Sequence, residues 1–231
     1  MQIHGFNKST LLDYPKHLAA TIFLGGCNMR CPFCQNASLV LRPGSQPLLP
    51  EDEVLSYLEK RKNILEGVCV TGGEPTLYPD LPVFISKIKA LGFKIKLDTN
   101  GLKPSMVKEL AGHKLIDYIA MDIKNSPEHY GMTAGIPDMD PSPVKETAAF
   151  LINGTLDYEF RTTVVRELHS SEDMHSIGRW LAGAKAYFLQ AYKDSGDILS
   201  PGLSAPDKET LIEFKEILGT YLSNVSLRGV D

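Results

Sequence analysis

The chain has 231 residues, with 24 Lys and Arg against 28 Asp and Glu, which gives a net charge of −4 at pH 7. Its hydrophobic fraction of 43% and charged fraction of 23% are those of ordinary globular proteins, so a disordered or collagen-like chain is excluded. A chain of this length can bury one sizeable core, and we expect a single domain over residues 1–231.

The charges form no basic stripe or arm, which argues against binding to nucleic acid phosphates. The amino terminus, MQIHGFNKSTLLDYP, lacks the basic-then-apolar order of a secretory signal. No apolar run approaches the roughly 20 residues needed to span a bilayer. We therefore expect a cytoplasmic protein without nucleic acid or membrane partners.

Hydrophobic runs and helical periodicities alternate along the chain. The runs predict strands at 19–24, 68–71, 94–98, 118–122, 158–165 and 186–191. Apolar residues at steps of three and four predict helices at 51–64, 81–91, 105–110, 144–152, 171–181 and 207–222. Residues 39–50 and 125–143 are predicted loops, and 223–229 a short extra strand. Six alternations favour a parallel sheet, either open and doubly wound or curled into a partial barrel.

Three cysteines, Cys27, Cys31 and Cys34, lie within eight residues. A cluster this dense in a chain with only four cysteines indicates a metal site rather than a disulfide scaffold. Pro32 and the preceding Gly25-Gly26 argue against a helix, so we predict a loop whose thiolates point to a common centre.

Two metals fit three clustered cysteines. A structural zinc site needs a fourth ligand, which would be Cys69 or a distant histidine. An iron–sulfur cube is usually held by four thiolates, so three would leave one iron open to a substrate. Cys69 itself lies in the apolar run Val68-Cys69-Val70, where a small buried hydrophobic residue is the ordinary role.

The spacing CxxxCxxC, with Phe33 before the last cysteine, resembles that of the radical S-adenosylmethionine enzymes. In that family three cysteines hold a [4Fe–4S] cluster, and the fourth iron takes the amino and carboxylate groups of S-adenosylmethionine. The resemblance implies that Cys27, Cys31 and Cys34 are cluster ligands and catalytic residues, and that Phe33, Cys34 and Gln35 contribute to cofactor binding. It also implies a single domain folded as an incomplete (βα)6 TIM-like barrel of parallel strands.

A glycine pair follows the second predicted strand, in Gly72-Gly73-Glu74-Pro75. The two glycines allow a ligand to approach the backbone closely, although a lone tetrapeptide of this kind is usually only a turn. The segment is similar to the GGEP motif of the family, which holds the amino group of S-adenosylmethionine. Gly72, Gly73 and Glu74 are therefore candidate cofactor-binding residues.

Acidic residues end the third and fourth predicted strands, at Asp98 and Asp122. Such carboxylates are costly to bury without a cationic partner, for which Lys124 is a candidate; the alternative is solvated charge at the strand ends. In the activating enzymes for glycyl radical proteins, a branch of the family, matching residues line the cofactor site. The resemblance implies a monovalent cation held by Asp98, Thr99 and Asp122, and cofactor binding by Ile123. It also implies that Lys124 is a catalytic residue that contacts the methionine carboxylate.

Two further positions stay open. Arg161 could project inward to a carboxylate or lie on the surface. Some activating enzymes carry a cofactor-contacting histidine after the sixth strand, but this sequence has none there, and Gln190 or Tyr192 would have to replace it. The six histidines of the chain show no ligand-like spacing.

The segments 3–15, 20–28 and 225–229 resemble the activating proteins of anaerobic ribonucleoside-triphosphate reductases. This resemblance implies an oxidoreductase that cleaves S-adenosylmethionine reductively to a 5′-deoxyadenosyl radical, using electrons from a flavodoxin or ferredoxin-type donor. The radical would abstract the α-hydrogen of one glycine in the partner reductase and leave a glycyl radical.

Two other functions remain open. A small radical enzyme acting on a purine-like or pterin-like metabolite would have a similar length and similar cysteines. A zinc-binding structural module would use all four cysteines as ligands, but it would leave the glycine pair and the strand-end aspartates unexplained.

Overall fold

The computed structural model describes residues 1–229, which contain eight strands and eight α-helices. The strands are β1 (Ile3–Thr10), β2 (Ala19–Leu24), β3 (Gly67–Gly72), β4 (Lys94–Thr99), β5 (Tyr118–Asp122), β6 (Asp157–Val164), β7 (Tyr187–Ala191) and β8 (Val225–Arg228). The helices are α1 (Ala37–Leu41), α2 (Glu51–Arg61), α3 (Leu81–Ala90), α4 (Pro104–Gly112), α5 (Tyr130–Ala134), α6 (Ser142–Asn153), α7 (Ser171–Trp180) and α8 (Lys208–Gly219). No helix within residues 1–229 has the length and apolar character needed to cross a membrane.

The described chain divides into two compact units. The first unit consists of residues 1–28, 38–99 and 103–120, and the second of residues 29–37, 100–102 and those from 121 onward. In both units the order of the strands in the sheet follows their order along the chain.

In the first unit, β1 pairs antiparallel with β2, and β2, β3 and β4 pair parallel. The strands β2 and β3 are almost wholly buried, because parallel strands covered on both faces need continuous apolar runs. Their register places Leu24 opposite Gly72. The carboxyl end of β2, where the cysteine loop starts, therefore lies beside the glycine pair that ends β3.

In the second unit, β6, β7 and β8 pair parallel, with Val164 opposite Ala191 and Gln190 opposite Arg228. Helix α7 begins with a capping box, in which the side chains of Ser170 and Asp173 each accept a backbone hydrogen bond from the other residue. Parallel register again brings the carboxyl ends of consecutive strands to one edge of the sheet.

The structure confirms the expected fold class: an α/β fold with an open, mostly parallel sheet, consistent with an incomplete TIM barrel. The predicted strand within 223–229 is present as β8. Strand β1 escaped prediction because its sequence, IHGFNKST, has no apolar run, and only pairing with β2 makes it a strand. The predicted loops 39–50 and 125–143 contain part of α1 and all of α5, which at five residues each are too short to show a helical period.

Candidate active site

The glycine pair of the first unit lies against the backbone that leads into the cysteine loop. Gly72 has a φ of +119°, a region that favours glycine. A Cβ atom placed on Gly73 would lie 1.8 Å from the carbonyl oxygen of Gly26. That same oxygen accepts a hydrogen bond of 2.8 Å from the backbone N–H of Glu74. The glycines therefore position the residue just before Cys27, a packing role that the sequence did not reveal.

The Glu74 carboxylate is buried, with 1% of the residue exposed. Its Oε1 atom accepts hydrogen bonds from the backbone N–H of Thr76 at 3.1 Å, from the hydroxyl of Thr76 at 2.5 Å and from the hydroxyl of Thr99 at 2.8 Å. Several donors on one oxygen compensate the cost of burying the charge and hold the carboxylate in one orientation. Two of the predicted site residues, Glu74 and Thr99, are thus in direct contact.

Asp98 is paired with a buried lysine that the sequence analysis did not select. The Lys96 ammonium forms an ion pair with Asp98 Oδ1, and only 2% of the lysine side chain is exposed. The hydroxyl of Thr71 donates to Asp98 Oδ2 at 3.2 Å, and the thiol of Cys69 donates to Oδ1 at 3.7 Å. Cys69 is therefore buried, as predicted, but it belongs to a polar cluster. The sequence carried one signal for Lys96: a lysine two residues before Asp98 shares its face of the strand.

The part of the cysteine loop that belongs to the second unit is held by backbone hydrogen bonds rather than by a helix. The N–H of Cys34 donates to the carbonyl of Cys31 at 3.0 Å, and Pro32 accepts from the N–H of Ser200 at 2.9 Å. The N–H of Arg30 donates to a carbonyl of helix α5 at 2.8 Å. The irregular loop predicted from the glycines and the proline is present.

Within residues 1–229, none of the four cysteines is joined in a disulfide. Cys31 is buried, whereas Cys27 and Cys34 are partly exposed. Within residues 1–229, no three His, Cys, Asp or Glu side chains are already gathered as a metal site. Three cysteine thiols in one loop nevertheless supply the donor chemistry that an iron–sulfur cluster requires, since the thiolate is its usual ligand.

Asp122 of the second unit lies between two cations. Arg161 contacts its Oδ1 atom through Nε at 3.0 Å and Nη2 at 2.9 Å, and Lys124 Nζ lies 3.1 Å from Oδ2. Burial by itself raises the pKa of Asp122, but Arg161 and Lys124 outweigh it and lower that pKa to about 2. Arg161 thus projects to a carboxylate, one of the two alternatives left open above, and Asp122 is ionised at neutral pH.

Lys124 is surrounded by groups that favour its charged form. Burial lowers the pKa of Lys124, but the negative charge of Asp122 and the nearby Cys31 and Tyr130 raise it well above its usual range. The Lys124 ammonium also lies 6.0 Å from the ring centroid of Phe33. Lys124, which follows β5, is therefore a neighbour of Cys31 and Phe33 of the cysteine loop in the second unit.

The remaining predicted positions have structural contacts of their own. Ile123 is fully buried, and its carbonyl accepts from the hydroxyl of Thr162 at 2.7 Å. The side chain of Gln35 donates to the carbonyl of Lys193, just after β7. Tyr192 is 3% exposed, and its hydroxyl is buried without a hydrogen-bond partner among the residues that the structure describes.

Comparison with known proteins places the chain in a family. The model of the Radical SAM superfamily matches residues 21–171, which include the cysteine loop, the glycine pair and both strand-end aspartates. A protein of Methanocaldococcus jannaschii, provisionally named a glycyl-radical enzyme activating enzyme, is 30% identical over 236 residues, covering 99% of this chain and 96% of its own. A 7-carboxy-7-deazaguanine synthase of Neisseria meningitidis is 30% identical over 106 residues, covering 46% of this chain and 43% of its own.

A solved structure shares the fold at low sequence identity. The crystal structure of Streptococcus suis SuiB bound to S-adenosylmethionine superposes with a TM-score of 0.68 and 18% identity, over 90% of this chain and 52% of that one. The present chain therefore spans about half the length of SuiB. The extent of the superfamily match and the full-length relative show that the protein belongs to the radical S-adenosylmethionine superfamily, a family that implies a [4Fe–4S] cluster and S-adenosylmethionine.

Proposed function

We propose that this protein is a glycyl radical activating enzyme whose partner is an anaerobic ribonucleotide reductase. The observation that carries the proposal is the relative in M. jannaschii, which has the activating-enzyme name and matches this chain over nearly the whole of both sequences. The similarity of segments 3–15, 20–28 and 225–229 to reductase-activating proteins supports the choice of partner. The proposal includes one radical S-adenosylmethionine domain over residues 1–231.

In the proposed site, Cys27, Cys31 and Cys34 hold the [4Fe–4S] cluster. When bound and reduced by a flavodoxin or ferredoxin-type donor, the cluster would supply the electron for cleaving S-adenosylmethionine to a 5′-deoxyadenosyl radical, which abstracts a glycine α-hydrogen from the partner. The chain binds and orients the substrate, because fold and cofactor alone do not select it.

The glycine pair and Glu74 would bind the amino group of S-adenosylmethionine. Gly72 and Gly73 let the chain leading to Glu74 pack against the backbone of Leu24 and Gly26, and the Glu74 carboxylate is held in place by hydroxyl donors. A preorganised carboxylate loses little conformational entropy when it accepts an ammonium group, which favours binding. Asp98 and Thr99 are the other candidate residues of the first unit.

Lys124 would bind the carboxylate of the methionine part. Lys124 carries a charge that Asp122 and Arg161 hold in place, and a charged ammonium recognises a carboxylate by a charge-assisted hydrogen bond. Tyr192, whose hydroxyl has no hydrogen-bond partner within residues 1–229, is the favoured substitute for the histidine that some activating enzymes carry after the sixth strand. A buried hydroxyl without a partner is costly unless a ligand completes its hydrogen bonding.

Electron paramagnetic resonance tests the proposal. The anaerobically reconstituted and reduced protein is mixed with S-adenosylmethionine and a candidate anaerobic reductase, and a glycyl doublet is expected. The variant Cys31→Ser should give no doublet and reduced iron content. The variant Cys69→Ala should keep the iron content and the visible absorbance, because Cys69 contacts Lys96 and Asp98 instead. Absence of the doublet with a protein that cleaves S-adenosylmethionine would refute the proposed activity.

A second candidate function is favoured by the deazaguanine synthase match: a radical reaction on a small purine-like or pterin-like metabolite. Substrate turnover without any protein partner would support it. The zinc-module alternative is disfavoured, since the Lys96 ammonium lies 3.7 Å from the sulfur of Cys69 and would repel a zinc ion there. Iron and labile sulfide in the purified protein, without zinc, would exclude it.

A further inference from the structure

Lys96 is an unusual residue for the middle of a buried strand. Only 2% of Lys96 is exposed, and it is one of the largest buried side chains of the protein. It lies in β4 between the apolar residues Ile95 and Leu97. A buried ammonium is tolerated only when it is paired and hydrogen-bonded. Its partner is Asp98, two residues along the strand and on the same face. The lysine therefore delivers one fixed positive charge to the end of the strand.

The Lys96 ammonium lies next to the Asp98 carboxylate, where the family resemblance implies a bound cation. The family resemblance assigns a monovalent cation to oxygen atoms of Asp98, Thr99 and Asp122. In the first unit, however, Asp98 already has the Lys96 ammonium, and the Thr99 hydroxyl donates to Glu74. The hydroxyl of Thr71 donates to the other Asp98 carboxylate oxygen at 3.2 Å.

The third expected ligand of the cation, Asp122, is also paired with positive side chains of the protein. Asp122, in the second unit, has Arg161 on one carboxylate oxygen and Lys124 on the other. A bound sodium or potassium ion next to either aspartate would approach a fixed ammonium or guanidinium group of the same charge, which would repel it. The donor set therefore does not fit a monovalent cation in this chain.

We propose that the Lys96 ammonium replaces the monovalent cation in this protein, so that S-adenosylmethionine binds without sodium or potassium. The proposal rests on the proposed function, because it assumes that the Asp98 region belongs to the cofactor site. Lys96 acts as a positioning residue: it holds Asp98 and neutralises it, and it need not touch the substrate. A soluble cation must be recruited from solvent, whereas a lysine is present at every turnover and at any salt composition.

The test measures S-adenosylmethionine binding in different salts. The full-length, anaerobically reconstituted protein is dialysed against S-adenosylmethionine in sodium, potassium or N-methylglucamine chloride at equal ionic strength. We expect the dissociation constant of the unmodified protein to change by less than about twofold among the salts. A tightening of about tenfold in sodium or potassium relative to N-methylglucamine would overturn the proposal.

The variant Lys96→Met separates this role from a purely structural one. In N-methylglucamine, its affinity should fall about tenfold or more, and sodium, potassium or ammonium ions should restore it, because a small cation can then take the place of the Lys96 ammonium beside Asp98. The matched control is Lys94→Met, an exposed lysine of the same strand, which should behave as the unmodified protein does. Loss of affinity in Lys96→Met without rescue by small cations would also contradict the proposal.

A second readout does not depend on S-adenosylmethionine. Potassium should raise the thermal midpoint of the metal-free Lys96→Met chain by a few degrees relative to N-methylglucamine, and should leave that of the unmodified chain unchanged, because a cation that binds only the folded state stabilises it. If Lys96→Met does not fold, the salt series on the unmodified protein decides. If the unmodified protein binds no S-adenosylmethionine in any salt, the proposed function fails, and the midpoints still test the cation replacement.

Discussion

Replacing Gly73 by alanine tests whether the glycine pair positions the cysteine loop. The added Cβ would lie 1.8 Å from the carbonyl oxygen of Gly26, although such atoms essentially never approach below 3.0 Å. The φ angle of Gly73 is not positive, so the alanine backbone itself is unstrained and the whole effect is steric. Relief requires a separation of roughly 1 Å more between two backbone segments, in a region that is close-packed.

The magnitude follows from the competing terms. An alanine in an allowed conformation would stabilise the chain by about 0.4 to 1 kcal/mol through the unfolded state, whereas overpacking costs about 1 to 3 kcal/mol. The clash involves backbone on one side, which cannot rotate away, so the cost lies at the upper end of that range and we expect a net loss of about 2 kcal/mol. The displaced residue, Gly26, precedes Cys27, and iron incorporation should fall as well.

The assay compares the free energy of unfolding in urea with the iron content after reconstitution. The matched control is Gly112→Ala at the end of helix α4, where a new Cβ would meet nothing within 4 Å and alanine should stabilise slightly. Were Gly73→Ala as stable as the unmodified protein, with full iron content, the packing role of the glycine pair would be refuted.

Three further outcomes are expected. The pKa of Asp122, about 2, lies below its value in the unfolded chain, so the ion pairs of Asp122 stabilise the fold above pH 4 and lose that effect as the pH falls toward 2. The difference in unfolding free energy between the unmodified chain and Asp122→Asn, measured in urea, should therefore shrink by about half from pH 5 to pH 3. Tyr192→Phe should weaken S-adenosylmethionine binding and leave the free energy of unfolding in urea unchanged or higher. In its control, Tyr187→Phe, loss of the hydrogen bond to Thr162 should lower the free energy of unfolding by about 1 kcal/mol. Arg228→Met removes both hydrogen bonds to the buried Glu159 carboxylate and should cost about 3 kcal/mol by thermal or urea unfolding; an effect below about 0.5 kcal/mol would mean that solvent already compensates this charge.

Much of the fold could be read from local patterns. Strand 19–24 and strand 118–122 were predicted to the residue, since continuous apolar runs between breakers are distinctive of buried parallel strands. Helices such as α3 and α7 were predicted to within one residue at each end, because their periodicity extends over nearly three turns. Strand β1 was not predicted, because its identity as a strand depends on a distant partner rather than on its own residues.

The candidate site divides in the same way. The sequence by itself determined the chemistry, since three cysteines at a fixed spacing, a glycine pair and two acidic strand ends are local features of residue type. Only the tertiary structure decided which charges meet. It paired Asp98 with Lys96 and Asp122 with Arg161, and it placed Gly73 against Gly26, which lies 47 positions earlier. A sequence names the groups that can interact, but the choice among partners is made by strand register and packing, which bring residues distant in the chain within a few ångströms.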